Sequence, residues 1–354
     1  MSTSVGPRLH VFVGAGGVGK TTLAAGYALA LARSGKVVGL LGVDPARRLQ
    51  GALGLTLPDL EVQVPHAGQL RAALLRPADC LRRWATESIA DPAERERLQH
   101  NAFFLALADR LAGASDVLAA VRMAEWAERD PTMTDLVVDT APGLNAIEFL
   151  ARPDSLVAFL EGPLVKWLRR LGKGKNGVLG AIARSGARVI GGLARIGGTT
   201  MLFELADFLV LVEGVFSKML TRLERDRAWL RSDATHLLLV TAVREDTVTS
   251  VRQLTAALQA ISVPPRAIIV NRALPASLAT ELAPLEVARL PAETAAVVRF
   301  ARGYAELQQR VIASVAPFAP AVAVVPAARG IEDEEARLET LLGLGQHLLS
   351  ALPP

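Results

Sequence analysis

Nine consecutive residues hold the densest chemistry in the chain: Gly14, Ala15, Gly16, Gly17, Val18, Gly19, Lys20, Thr21 and Thr22. They follow an apolar run at residues 9–13 and precede a helix-forming stretch at 23–33. A G-x-x-x-x-G-K-[ST] pattern in a strand–loop–helix setting is a phosphate-binding loop. Its glycines let backbone N–H groups turn toward the phosphates, and the helix N-terminus that follows adds partial positive charge. Lys20 is expected to reach the β- and γ-phosphates, and the Thr21 hydroxyl to ligate Mg²⁺. The loop implies a bound nucleoside triphosphate.

Such a loop must be held by a sheet. Apolar runs that read as strands occur at 9–13, 37–43, 61–64, 70–75, 136–139, 208–212, 236–243, 266–271 and 322–325. Several are apolar throughout, as in strands buried on both faces of a parallel sheet. Helical patterns fall between many of them, at 23–33, 249–260 and 333–350 for example. The alternation predicts an α/β fold with a doubly wound, mostly parallel sheet, and a ligand at the carboxyl ends of the strands. Residues 1–354 read as a single domain of this type. Insertions at about 78–129 and 147–204 break the rhythm and are expected to form a helical subdomain.

Composition narrows the class further. Cys80 is the only cysteine among 354 residues, so an intrachain disulfide, a CxxC zinc clasp and a one-chain thiolate cluster are all excluded. No signal peptide is apparent, and no run of about 18 apolar residues is free of charges and helix breakers. The expected location is cytoplasmic, peripheral at a membrane if it meets one. Arginine outnumbers lysine 33 to 6, which reads as base-composition bias.

The loop's double glycine followed by Val18, Gly19, Lys20, Thr21 and Thr22 resembles the deviant Walker A loop of MinD, ParA, nitrogenase-iron-protein and arsenical-pump ATPases. Those loops read Lys-Gly-Gly-x-Gly-Lys-[Ser/Thr], and their first lysine crosses a dimer interface to the partner's nucleotide. Ala15 stands at that position here. Residues 43–46, Val-Asp-Pro-Ala, resemble the switch I sequence of arsenical-pump and tail-anchored-protein-targeting ATPases. The resemblance makes Asp44 the group that positions or activates the attacking water, a task suited to a carboxylate near the γ-phosphate. A plain helix N-cap followed by proline is the alternative. Arg47 and Arg48 replace the family's next residues. Residues 137–143, Val-Val-Asp-Thr-Ala-Pro-Gly, resemble the family's Walker B and switch II run, which implies that Asp139 holds Mg²⁺ through a water. That run is one residue short after Pro142.

By the same resemblance Asn271 reads the adenine edge, with Arg272 beside it. Residues 326–331, including Pro326 and Arg329, resemble the loop that closes over the base. The resemblance covers nearly the whole chain in order. It implies an ATPase of the arsenical-pump-like, tail-anchored-targeting-like type, with ATP as substrate and Mg²⁺ as cofactor. One phosphate loop per chain implies a dimer, either a homodimer or a heterodimer with a related chain.

Charge is unevenly spread. Lys166, Arg169, Arg170, Lys173, Lys175, Arg184, Arg188 and Arg195 fall within residues 162–203, which contain no acidic residue. The rest of the chain carries 31 basic against 35 acidic residues, so the basic excess lives in this segment. On a helical projection Arg184, Arg188 and Arg195 lie within about 40° of one another, opposite an aliphatic face. Three readings compete: an anionic membrane surface with Trp167 as interfacial anchor, a groove for an apolar client helix, or a solvated arginine face. Nucleic acid is the weakest option, because the interleaved residues are aliphatic rather than stacking aromatics. Two functional readings follow. The chain is either a dimeric ATPase that handles a hydrophobic client or membrane, or a slow nucleotide-gated switch that recruits a partner protein.

Overall fold

A computed structural model of the chain describes residues 6–44, 48–110, 115–143, 228–282, 284–328 and 334–352, together with Phe208 and Leu211. Eight strands form one sheet: β1 (Arg8–Gly14), β2 (Val38–Gly42), β3 (Val62–Gln63), β4 (Leu70–Leu74), β5 (Asp135–Asp139), β6 (Thr235–Ala242), β7 (Ala267–Ala273) and β8 (Val322–Pro326). Their order is β3-β4-β2-β5-β1-β6-β7-β8, and every pairing is parallel except β3 with β4. All residues of β2 and β5 are buried, and all of β1 after Arg8. The uniform apolar runs therefore serve strands covered on both faces, as the α/β reading expects.

The described helices are α1 (Lys20–Arg33), α2 (Arg48–Leu53), α3 (Pro77–Ser88), α4 (Pro92–His100), α5 (Ala102–Arg110), α6 (Ser115–Arg129), α7 (Thr247–Ala260), α8 (Ala276–Leu282), α9 (Ala292–Val315) and α10 (Glu334–Ala351). The alanine-rich α1 is buried almost all round. It packs on α10 so closely that a Cβ added at Gly345 would collide with the Gly26 carbonyl. Small residues on both helices make that approach possible, and they pin the helix that leaves the phosphate loop.

The chain divides into two compact units. The first takes in Met1–Leu75, Glu125–Leu150 and Trp229–Pro354 and contains the whole sheet. The described part of the second is helical and includes α3, α4, α5 and most of α6. Within it Cys80, Leu81 and Trp84 on α3 are buried, Asn101 caps α5 by accepting from the Phe103 and Phe104 N–H groups, and Phe103 meets Phe208 ring to ring. No described helix is long and apolar enough to cross a membrane.

The strand expected at 208–212 is not seen at its two described residues. Phe208 and Leu211, inside the apolar run 208–212, are both helical and both buried. Their i, i+3 spacing puts them on one helical face, and a short apolar run does not by itself separate strand from buried helix.

The lower half of the sheet buries a polar network. His10 on β1 donates from Nε2 to Asp135 Oδ1 on β5 at 2.8 Å, and the Tyr27 hydroxyl of α1 approaches its Nδ1 at 3.4 Å. Lys36 adds a charge 3.5 Å from the other Asp135 oxygen. Burial holds His10 below the usual histidine range, against the pull of Asp135. Burial alone would raise Asp135, but the hydrogen bonds from His10 and Thr134 and the charges of His10 and Lys36 keep it low. His236, edge-on to His10 with ring centroids 5.0 Å apart, is pushed down to about 4, chiefly by burial.

These shifts have one sign. An unfolded histidine takes up its proton near pH 6.5, whereas folded His236 resists until about 4. The unfolded chain therefore binds more protons in that window, and stability falls as pH drops through it. Thermal unfolding midpoints are expected to decline from about pH 6.5 to pH 4. The decline should be shallower in His236→Gln, and an unchanged slope in that variant would clear His236 of the effect.

Candidate nucleotide site

Strand β1 lies at the point where the order reverses, with β5 on one side and β6 on the other. A crevice at the carboxyl end of such a strand is where doubly wound sheets place ligands. The loop Gly14–Gly19 occupies that end, and α1 begins at Lys20. Parallel register brings the other candidates to the same edge. Asp139, the last residue of β5, pairs with Phe12 of β1 and Gly42 of β2, so Asp44 follows two residues beyond its neighbour.

Several contacts fix the loop. Lys20 is buried, and its Nζ donates to the carbonyls of Gly14 and Ala15, both at 3.0 Å. The Gly143 N–H donates to the Gly14 carbonyl at 2.9 Å, and the Thr140 hydroxyl donates to the Phe12 carbonyl at 2.7 Å. The run after β5 is thus stitched to the loop and to β1. Ala15 is half-buried, and its methyl packs at the edge of the core.

The charges interact strongly. Burial lowers Lys20, with Asp139 and then Asp44 pulling the other way and the charge of Arg48 adding to the fall. Burial pushes Asp139 up to about 7, opposed by the Thr21 hydroxyl, Lys20 and Arg48 and assisted by Asp44. Asp44 is buried and pairs with Arg48 on the first turn of α2, Nη1 to Oδ2 at 3.6 Å. Lys20, Thr21, Asp44, Asp139 and Arg48 therefore share one electrostatic neighbourhood.

That neighbourhood suits a hard divalent cation. Both Asp139 carboxylate oxygens are buried without a completed hydrogen bond, although the Thr21 hydroxyl lies close enough to favour the ionised form. An oxygen pair left open beside a threonine hydroxyl and a phosphate loop fits Mg²⁺, which takes few protein ligands and keeps waters and phosphate oxygens.

Asn271 does something the sequence did not announce. Its Nδ2 donates to the Val18 carbonyl at 2.8 Å, and the side chain lies against Gly19. Gly19 has φ 94°, and a Cβ there would collide with that amide. Only glycine meets both demands. Arg272 also has a positive φ, 59°, and its carbonyl accepts from the Tyr304 hydroxyl of α9 at 2.9 Å. The Arg272 side chain is exposed, and Pro326, half-buried, ends β8 opposite Ala273. Arg47, Arg329, Trp167, Arg184, Arg188 and Arg195 lie outside the described residues, as does the whole 147–204 insertion.

Parts of the chain resemble known proteins. The chain is 29% identical to ATPase GET3 of Malassezia globosa over 144 residues, covering 40% of this chain and 41% of that one. It is 33% identical to the signal recognition particle 54 kDa protein of Methanopyrus kandleri over 184 residues, 51% of this chain and 37% of that one. It is 27% identical to the arsenical pump-driving ATPase of Escherichia coli over 164 residues, 44% of this chain and 27% of that one. The matched stretches span less than half the length of these curated relatives. The sequence model of the ArsA-type anion-transporting ATPases is matched by residues 8–290, a span that contains the phosphate loop, both carboxylates and Asn271. With the doubly wound sheet and the loop geometry, that match settles the family: the chain belongs to the ArsA-type anion-transporting ATPases.

Proposed function

We infer that this protein is a Mg-ATP-dependent ATPase that acts as a dimer and couples its nucleotide state to a hydrophobic client or an anionic membrane surface. The observation that carries the chemistry is the buried, open Asp139 carboxylate beside Thr21 and Lys20 at the mouth of the loop. The loop N–H groups and Lys20 bind and orient the triphosphate. Lys20 must leave the Gly14 and Ala15 carbonyls to do so, exchanging two neutral acceptors for a charged one. Thr21, and Asp139 through a water, would hold Mg²⁺, which when bound offsets phosphate charge. Asp44 orients the attacking water and holds its proton in transit. Asn271 and Arg272 border the base, with Pro326 and Arg329 as the closing loop.

The helical unit and the basic segment at 162–203 are assigned to the client or lipid, which keeps the protein cytoplasmic and peripheral. Coupling needs two states, and dimer closure over paired nucleotides is the expected one, as a homodimer or with a related chain. The test combines four measurements on purified protein: phosphate release with and without Mg²⁺, mass by light scattering with ADP and ATP, flotation with anionic liposomes, and binding of an apolar peptide. No Mg-dependent phosphate release would overturn the enzyme reading. A constant monomer mass would overturn the dimer, and loss of both flotation and apolar-peptide binding would overturn the coupling.

Asn271 offers a separate expectation. A residue that reads adenine alone governs the preference for ATP over GTP. Held on the Val18 carbonyl, it also braces the loop for every nucleotide. Asn271→Ala is therefore expected to weaken ADP and GDP alike by about 5- to 10-fold, the scale of one lost hydrogen bond. Titration with both nucleotides checks it, and a loss confined to ADP would leave only the base-reading role.

A further inference from the structure

The loop brings a single side-chain cation, Lys20, to a triphosphate and to the charge that gathers in its transfer. The geometry points to Arg48 as a second, catalytic cation that acts within its own chain, pairing with Asp44 in this structure and turning to the γ-phosphate once ATP is seated. The inference rests on the ATPase reading above and deepens it.

Four observations place the residue. Arg48 opens α2 four residues past Asp44, so its backbone stands at the rim of the site. Its side chain is 53% exposed, whereas that of Asp44 is 8% exposed. The carboxylate thus sits inside and the guanidinium at the mouth. The pair is loose, one contact at 3.6 Å rather than a two-pronged fork, and so it exchanges readily for a stronger anion. Finally, the Asp44 carboxylate that the guanidinium contacts lies two residues past the β2 position paired with Asp139, so the pair stands at the edge of the reaction centre. A planar guanidinium is suited to bridging phosphate oxygens.

The step is an in-line displacement. The water oxygen bonds to the γ-phosphorus as the bond from phosphorus to the β–γ bridging oxygen breaks. The electron pair of that bond leaves on ADP, and the water's two protons end on the released phosphate, one of them passing by way of Asp44. Arg48 contributes twice. Its departure frees the Asp44 oxygen it held, and its arrival offsets charge on the transferring group. The first is positioning and the second is electrostatic stabilisation.

The experiment compares the parent with Arg48→Gln, Arg48→Ala and Arg48→Lys. Arginine cations in phosphoryl transfer supply roughly 10³–10⁵ in rate. Arg48→Ala is expected to lower kcat by about 10²-fold or more while the Kd for ADP stays within about threefold. Trapping of ADP with aluminium fluoride should be lost in both neutral variants, and Arg48→Lys should recover part of kcat. Added guanidinium ion should restore part of the Arg48→Ala rate, which a residue that only steadied α2 would not permit. A kcat in Arg48→Ala and Arg48→Gln within about threefold of the parent, or faster, would overturn the proposal. So would retained fluoride trapping. A parent that binds ATP without releasing phosphate would instead sink the ATPase reading, and the two failures are told apart by the parent alone.

Discussion

Asp44→Asn is expected to lower ATP turnover by about 10³-fold while ATP binds within about threefold of the parent. The carboxylate is buried at the carboxyl edge of the sheet, two residues past the strand that flanks Asp139. Its charge raises Asp139 and opposes the fall in Lys20, which puts it in the same field as the phosphates. Asparagine keeps the volume but removes both the charge and the ability to hold a proton. A general base supplies about 10²–10⁴ in rate, so the loss falls on the chemical step rather than on binding. Lys20→Ala is the contrast, because it removes the cation that grips the triphosphate and so weakens binding itself. Single-turnover hydrolysis and nucleotide titration, run on both variants, separate the two. Parental turnover in Asp44→Asn would reduce that residue to a helix cap.

What the sequence discloses and what it conceals divide along contact range. The phosphate loop is legible because its chemistry needs neighbours in the chain, and the strands β1, β2 and β5 because burial on both faces demands apolar residues in succession. Asp139 stands out through the likeness of residues 137–143 to a Walker B run. The hydrogen bond from the Asn271 amide to the Val18 carbonyl joins residues 253 apart, and no local pattern encodes it. The same holds for His10 with Asp135, 125 residues apart, where a polar residue at the third position of a core strand signals an anomaly without naming its partner. The 208–212 run failed for another reason. A short apolar run suits a buried helix face as well as a strand, and its two described residues, Phe208 and Leu211, are helical and buried. Arg48 lies between these cases: its i, i+4 spacing from Asp44 is local, yet its reach to Lys20 and Asp139 appears only when β2, β5 and β1 are laid side by side.

Ala15 gives the other large expectation. In the ATPases this loop resembles, the lysine at that position enters the partner's site and meets phosphate charge there. A homodimer of this chain lacks that cation in both sites, whereas a heterodimer with a lysine-bearing relative would complete the site built around Lys20 and leave the relative's own site short. Ala15 is half-buried with its methyl against the core, so a lysine there must run its stem along apolar surface to bring the ammonium out. A cation at the transferring phosphoryl group is worth about 10³–10⁵ in rate. If Arg48 already supplies part of that stabilisation, Ala15→Lys in the parent adds less than this range, and Ala15→Lys combined with Arg48→Ala shows the larger relative gain. The two cations then act on one group, and their effects are not additive. Phosphate release by the parent, the two single variants and the double variant measures the coupling. Equal gains from Ala15→Lys with and without Arg48 would mean the residues serve different charges. No gain in either background, beside fast hydrolysis by the parent, would mean that the alanine costs the chain nothing and that a cation from elsewhere completes the site.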